Sequence, residues 1–371
     1  MKRIACLLLA LCLLLGGCAA QTPTPTDTDK PPVTGDPAPD GPSTDDPSDL
    51  PIDDPVDTPP PVLYRHPLTG APLDAPWTGT PVAVVINNLK QALPHSGVGF
   101  ADMLYEVETE GGITRMLAIY SDLTQVGNIG PVRSARSFFN NIAVSYGAPI
   151  IHCGGSLGGR NGWFDDTGVK ISDWQHLDAV YHEGKYFYRD KDRYNYQGYN
   201  WEHTLFTSGQ LLAKGMTEKE YMSQEQRDYG LEFSDEPALS GAAANSITVH
   251  FRGGKKTIFT YDAGSYKTAQ YGEDYVDTTT GQIVRFENVM VLYTPQWQKD
   301  DGNYYRSYYT LIGEGEGMLA MGGKIVPIHW SRASLREPFS YTMADGTPVT
   351  LAQGHTYVAI SSTKSTPVEY Q

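Results

Sequence analysis

Apolar residues fall along this chain in three rhythms. The first is one unbroken run, residues 4–15, behind Met1-Lys2-Arg3 and ahead of Gly16-Gly17-Cys18. That run has the length of a signal-peptide core and is too short to span a bilayer. The second rhythm begins near residue 64 and mixes buried-strand runs with helical periodicity. Residues 81–86 (PVAVVI) are a continuous β-branched run ended by Asn87-Asn88, and Pro149-Ile150-Ile151-His152-Cys153 is another, stopped by Gly154-Gly155. Between them, residues 103–108 alternate apolar with acidic side chains, Glu110-Gly111-Gly112 supplies a turn, and 113–120 is apolar again. This predicts a β-hairpin. Residues 133–146 predict a helix, with Ala135, Phe138, Phe139, Ile142 and Tyr146 on one face, Pro131 near its start and Gly147 at its end. The stretch 157–206 has no clear period, and 207–229 reads as helical in one or two pieces.

After the segment 234–245 (SDEPALSGAAAN) the rhythm changes to period two. Strands are predicted at 247–252, 256–262, 289–294, 304–312, 324–330 and 355–361, separated by Gly, Asp and Pro turns. The fold class expected is therefore α+β. An N-terminal α/β domain with a mixed sheet would span 63–238, and a mostly antiparallel β domain 239–371. The segment 234–245 reads as an exposed linker between them.

Composition explains residues 19–62, which hold thirteen Pro, ten Asp, one Lys and no aromatic residue. Such a segment cannot bury enough apolar surface to offset its chain entropy, so a disordered tether is expected. At about 3.1 Å per residue it would reach on the order of 130 Å. The two small residues before Cys18 fit a lipobox, in which the cysteine is acylated by fatty acids such as palmitate. Attachment to a membrane through Cys18, facing outside the cytoplasm, is the localisation expected. Cys6 and Cys12 would leave with the signal peptide, so Cys153 is the one thiol left and the fold must rely on its core. The remainder of the mature chain carries 25 Lys/Arg against 33 Asp/Glu, and the whole chain has a net charge of −15. An acidic fold on an acidic tether argues against nucleic acid as a partner, since phosphates need a basic footprint.

Two clusters carry candidate chemistry. Asp102, Glu106, Glu108 and Glu110 precede Arg115, and 106, 108 and 110 would share a face if the strand continued. Crowded carboxylates raise at least one pKa and can serve as general acid and base, as in glycoside hydrolysis. The alternative is a structural ion pair with Arg115. Gly130-Pro131-Val132-Arg133-Ser134-Ala135-Arg136 would place two arginines in the first turn of a helix, an arrangement suited to an anion. That anion is either a ligand or one of the glutamates. Gly154-Gly155-Ser156-Leu157-Gly158 matches a nucleophile-elbow pattern, but Gly159-Arg160-Asn161-Gly162 are poor starters for the helix an elbow requires. His176, His182 and His203 have no metal-ligand spacing, so no metal is expected, and nothing implies a cofactor.

The strings Glu110-Gly111-Gly112-Ile113-Thr114-Arg115 and Gly130-Pro131-Val132-Arg133-Ser134-Ala135-Arg136, with Asn87-Asn88 before and His152-Cys153-Gly154-Gly155-Ser156 after, resemble the YerB-like lipoproteins of Gram-positive bacteria. The resemblance runs from about 64 to 362. Asp345-Gly346, Leu351 and Gly354-His355-Thr356 look like that family's closing segment. It implies a two-part domain of unknown function and no established reaction. Leu93-Pro94-His95 departs from an Arg-Pro pair expected there, which would make a basic role at His95 pH-dependent. The candidate binding residues are then Asn87, Asn88, Asp102, Glu106, Glu110, Arg115, Arg133, Ser134, Arg136, His152 and Ser156. Binding of an anionic or polar cell-envelope component leads. A glycan or ester hydrolase using Glu106, Glu108, Glu110 or Ser156 is the alternative, and a protein–protein adaptor the third reading, so enzymatic activity stays open.

Replacing Cys18 by Ser is expected to release or mislocalise the protein, and deletion within 22–60 to leave the fold intact. Metabolic lipid labelling that fails to mark the wild-type chain would overturn the anchor.

Overall fold

The computed structural model describes residues 64–155, 175–222, 227–300, 305–362 and 368–371. Cys18, the tether and Ser156 lie outside the described residues. The N-terminal half supplies β1 (Val82–Asn87), the hairpin β2 (Met103–Glu108) and β3 (Thr114–Tyr120), helix α1 (Ser137–Ser145), β4 (Ile150–His152), β5 (His176–Asp178) and helix α2 (Gly209–Glu218). The C-terminal half is built of strands: β6 (Ala242–Ala243), β7 (Ser246–His250), β8 (Lys256–Asp262), β9 (Ser265–Gln270), β10 (Glu273–Asp274) and β11 (Arg285–Phe286). Then come β12 (Asn288–Thr294), β13 (Gly313–Met321), β14 (Lys324–Arg332), β15 (Ser340–Met343), β16 (Thr356–Ser362) and β17 (Val368–Tyr370). The expected α+β class holds, with a mixed sheet in the first half and mostly antiparallel strands in the second.

One 11-stranded sheet runs through both halves in the order β6-β14-β13-β12-β16-β2-β3-β1-β4-β5, with β15 added to β14. Its middle strand, β16, comes from near the C-terminus and lies parallel to both β2 and β12. The segment 234–245 is paired at both ends: Glu232–Ser234 lie parallel to Thr350–Ala352, and Ala242–Ala243 pair with Lys324 and Ile325. The described residues form one compact unit, and the sheet continues across position 239.

Every residue of β1, β2, β3 and β16 is buried, which accounts for their continuous apolar runs. Alternate side chains face two cores. Val84, Leu104, Ala118 and Ala359 pack with Val249, Phe259 and Phe286 of a second, six-stranded sheet ordered β10-β9-β8-β7-β17 with β11 on β9. Val85, Tyr105, Leu117 and Ile360 pack with Phe138, Phe139 and Ile142 of α1 and with Trp330. Strand β13 escapes the period-two pattern because glycines alternate along it. A Cβ at Gly315 would lie 2.6 Å from the Trp330 indole nitrogen, and one at Gly317 2.8 Å from Val291 O.

Helix α1 starts later than the sequence predicts, at Ser137 rather than 133. The backbone of 133–135 is already engaged: Arg133 N donates to Val85 O (2.9 Å) and Ala135 N to Gly154 O (3.0 Å). Arg136 is extended, with φ −132°, at the N-cap. Arg133, Ser134 and Arg136 therefore ride on an extended strap across the end of β1, not on a helix turn.

Glu106 joins the two sheets. It is fully buried on the face toward the second sheet. Its carboxylate accepts from Asn88 Nδ2 (2.9 Å), Thr114 Oγ1 (2.6 Å), Thr257 Oγ1 (2.8 Å) and Tyr357 OH (2.8 Å), and pairs with Lys255 Nζ at 3.1 Å. Burial pulls the Lys255 ammonium below its ordinary pKa, against the raising effect of Glu106. His95, also buried, faces Tyr275 OH through Nδ1 at 2.5 Å, and burial holds its pKa down at about 3. It is a neutral strut, not a basic group near neutral pH.

Glu106→Ala strands the Lys255 cation in the interior and is expected to lose about 3–5 kcal/mol in urea unfolding. The double variant Glu106→Leu/Lys255→Met is expected to recover much of that loss. A double variant no more stable than the single one would show that the pairing is not the cause.

Candidate functional site

Strands β1, β2, β4 and β5 point one way and β3 the other, so the carboxyl ends of those four and the start of β3 share one edge. In open sheets the crevice beyond the carboxyl ends of parallel strands is the usual place for a ligand. Here that edge gathers Asn87, Glu108, Glu110, Arg115, the strap Arg133–Ser134–Arg136, and the loop after His152. Asp102 is not among them, since it precedes β2 at the opposite edge and accepts from Ser121 N (2.6 Å).

The three glutamates do not crowd. Glu106 is sealed inside its network. Glu108 takes the Arg252 backbone N–H (2.8 Å) and the Arg252 guanidinium. Glu110 lies past the strand, in a 3-10 turn, and faces Arg136. Arg136 donates Nε and Nη2 to the Glu110 carboxylate at 2.8–3.1 Å and Nη1 to Ala135 O at 2.9 Å. Ser307 N (3.3 Å) and Arg306 Nη1 (3.7 Å) also face Glu110. Burial pushes the Glu110 carboxyl up, but the Arg136 hydrogen bonds and the Arg136 and Arg115 charges outweigh it and hold the pKa below the ordinary value.

Arg115 stands apart from this pairing. It is 6% exposed, opposite Asn87 on β1 and Val107 on β2. Its Nη1 donates to Ser134 O at 2.9 Å, and its Nε has no partner. Among the described residues no carboxylate forms an ion pair with it. Burial drives its pKa well down, the charges of Arg136 and Arg133 push further, and Glu110 offsets only part. Arg133 is half-exposed and pairs with Glu202 at 2.5 Å, and its Nε is likewise unpartnered.

The neighbouring loop is braced from below. Gly154 N donates to Asp178 Oδ1 (2.8 Å), and His152 Nδ1 donates to Gly154 O (2.9 Å) while Nε2 lies 3.3 Å from His176 Nδ1. Burial lowers the His152 pKa to about 4, against the nearby Asp178 charge. Asn87 Nδ2 donates to His203 Nδ1 at 2.9 Å, with the His203 pKa lowered by burial. Asn88 belongs to the Glu106 network rather than to this edge. Lys255, Arg252, Glu202 and Asp178 escaped the sequence reading, and His203 was weighed only for metal-ligand spacing, because their partners at the site are 24 or more positions away and no local pattern marks them.

Chemically the edge offers guanidinium donors with one charge unmatched. A cluster of three His, Cys, Asp or Glu side chains fit to hold a metal ion does not occur among the described residues. Arg136→Ala is expected to lose about 1.5–3 kcal/mol, since it removes the two-nitrogen contact to half-buried Glu110 and leaves it only Arg306 and Ser307 N. Arg133→Ala, at a half-exposed pair, should lose only about 0–1 kcal/mol. Arg115→Met should be neutral or stabilising. Chemical unfolding checks the order, and an Arg115→Met loss equal to that of Arg136→Ala would mean that the Arg115 charge is satisfied internally.

Residues 68–222 match the N-terminal domain, and 247–358 the C-terminal domain, of the DUF3048 proteins of unknown function. A Bacillus subtilis (strain 168) protein, YerB, provisionally designated a lipoprotein, is 26% identical over 302 residues, covering 80% of this chain and 86% of its own. The crystal structure of YerB from Bacillus subtilis is similar with a TM-score of 0.67 at 25% identity, covering 80% of this chain and 96% of that one. The strings around Arg115 and Arg136 thus pointed the right way: this chain belongs to the YerB-like DUF3048 family.

Proposed function

We propose that this protein is a lipid-anchored, extracytoplasmic binding protein whose Arg115–Arg133–Arg136 edge takes an anionic group of a cell-envelope component. The observation that carries the reading is Arg115, a buried guanidinium with an unpartnered Nε and, among the described residues, no carboxylate in an ion pair with it. A buried charge is costly unless paired, and a ligand anion would supply the pair. The placement is unexpected for a protein with a net charge of −15. Localisation rests on the lipobox at Cys18 and on the lipoprotein designation of YerB. No helix among the described residues is long and apolar enough to cross a membrane.

The hydrolase reading has less support. A general acid needs a raised pKa, whereas the Glu110 carboxyl is held low by arginine. Glu106 is enclosed by five donors and has no surface to offer a substrate. Ser156 lies outside the described residues and contributes no argument.

Inorganic phosphate, citrate and glycerol-phosphate oligomers should each be titrated against the melting temperature. A ligand at a hundred times its Kd stabilises by about 2.7 kcal/mol. The wild type is expected to melt higher with at least one of these anions, and Arg115→Met to lose that response while remaining folded. A wild type indifferent to all three, or an Arg115→Met variant that responds equally, would overturn the reading.

A further inference from the structure

A cavity opens far along the chain from the arginine edge, where the hairpin of β9 and β10 meets the turn at 90–94. It has a volume of about 430 Å³, walled by Leu93, Pro94, Tyr271 and Tyr275, with Gln270 also lining it. That volume is within the roughly 300–1,000 Å³ typical of small-molecule sites. Gln270 is 2% exposed, and neither its Oε1 nor its Nε2 has a hydrogen-bond partner. It pairs across from Thr257, whose hydroxyl serves Glu106, so it stands beside a saturated network and takes nothing from it. A buried carboxamide left wholly unpaired is rare, because each bare polar atom forfeits its hydration.

A further orphan atom lies beside it: Asn88 Oδ1 has no partner, although the Asn88 backbone carbonyl accepts from Tyr271 OH at 2.6 Å. The backbone is strained here as well. Tyr271 and Gly272 form the two-residue turn between Gln270 and Glu273, with φ of 53° and 86°. Positive φ at both central positions is the type I′ hairpin turn, which favours Asn-Gly. A bulky aromatic at the first position is an outlier, and such outliers concentrate at functional sites. The tyrosine is retained in a conformation its side chain disfavours, and that side chain forms a wall of the cavity.

We infer that this cavity binds a neutral sugar carrying an acetamido group. The acetamido amide can accept from Gln270 Nε2 or donate to Gln270 Oε1, as sugar hydroxyls also can, but it alone adds a flat, methyl-bearing group. Its methyl group suits Leu93 and Pro94, and the C–H face of a pyranose suits a tyrosine ring. Lys90 against Glu273 and Asp274 gives the lining a net charge of −1, which disfavours anions and separates this site from the arginine edge. A peptide would present the same amide, but the adjacent sheet edge is β10, two residues long and both acidic, which blunts strand addition. The inference stands whether or not the arginine edge takes an anion.

Calorimetry on the full chain in detergent tests it, with N,N′-diacetylchitobiose, cellobiose and N-acetyl-triglycine amide as probes. Diacetylchitobiose should bind, and cellobiose, which lacks the methyl-bearing amide, should bind at least about fourfold more weakly, the worth of one buried methyl group. Gln270→Met should lose at least about tenfold toward diacetylchitobiose with an unchanged or higher melting temperature. Tyr271→Asn, which keeps a residue suited to the turn, should also weaken binding. No binding by the wild type, equal affinity for cellobiose, or undiminished binding by Gln270→Met would overturn the inference. Triglycine binding that depends on Gln270, in place of sugar binding, would reassign the cavity to peptides and overturn it as well.

Discussion

A carboxylate buried where two sheets meet must be satisfied on both sides at once, and Glu106 organises this protein by that requirement. Its donors come from the loop after β1, from β3, from β16, and from Lys255 and Thr257 at the start of β8. None of these elements can shift without leaving the charge bare. The same arrangement ties the two family domains into one body. Strand β16, near the end of the chain, lies between β2 and β12 in the middle of the large sheet. Two domains distinguishable along the sequence therefore share one continuous sheet in space.

The arginines separate by what faces them. Arg136 has Glu110 in a two-nitrogen contact and serves the fold. Arg133 has a half-exposed pair of small worth. Arg115 has a single backbone acceptor and like charges around it. That imbalance, among the described residues, is what supports the proposed role as a receptor for something negative. The strap 133–136 makes this possible because it is extended. Its backbone is held by β1 and by the glycine loop, so the carbonyl of Ser134 is free to take Arg115.

Gln270 offers the neutral counterpart of that argument. Its amide is buried with both heteroatoms unpaired, next to an aromatic held at positive φ, in a cavity of opposite charge character to the arginine edge. Membership in the YerB-like family places the chain among proteins of unknown function, so residues of this kind, which the fold leaves unsatisfied, are where its chemistry is to be sought.

The sequence by itself determined the α+β class and most of the strands, because burial on one or two faces writes a period into the chain that needs no knowledge of partners. The hairpin of β2 and β3 and the strands β1, β4, β8 and β12 were legible for that reason. It also marked the stretch holding Arg115 and Arg136 through two distinctive strings. Other features were decided only by tertiary structure. The predicted helix turn at 133–135 became a strap, because β1 and Gly154 compete for its backbone. Strand β13 stayed hidden, since its alternating glycines make room for Trp330 and Val291 rather than contribute apolar side chains. The three glutamates, alike along the chain, were given different environments by Lys255, Arg252 and Arg136, two of which lie more than a hundred residues away. Periodicity records which side of an element is buried. It carries no record of which distant charge arrives there, and that arrival separates the sealed Glu106 from the unmatched Arg115.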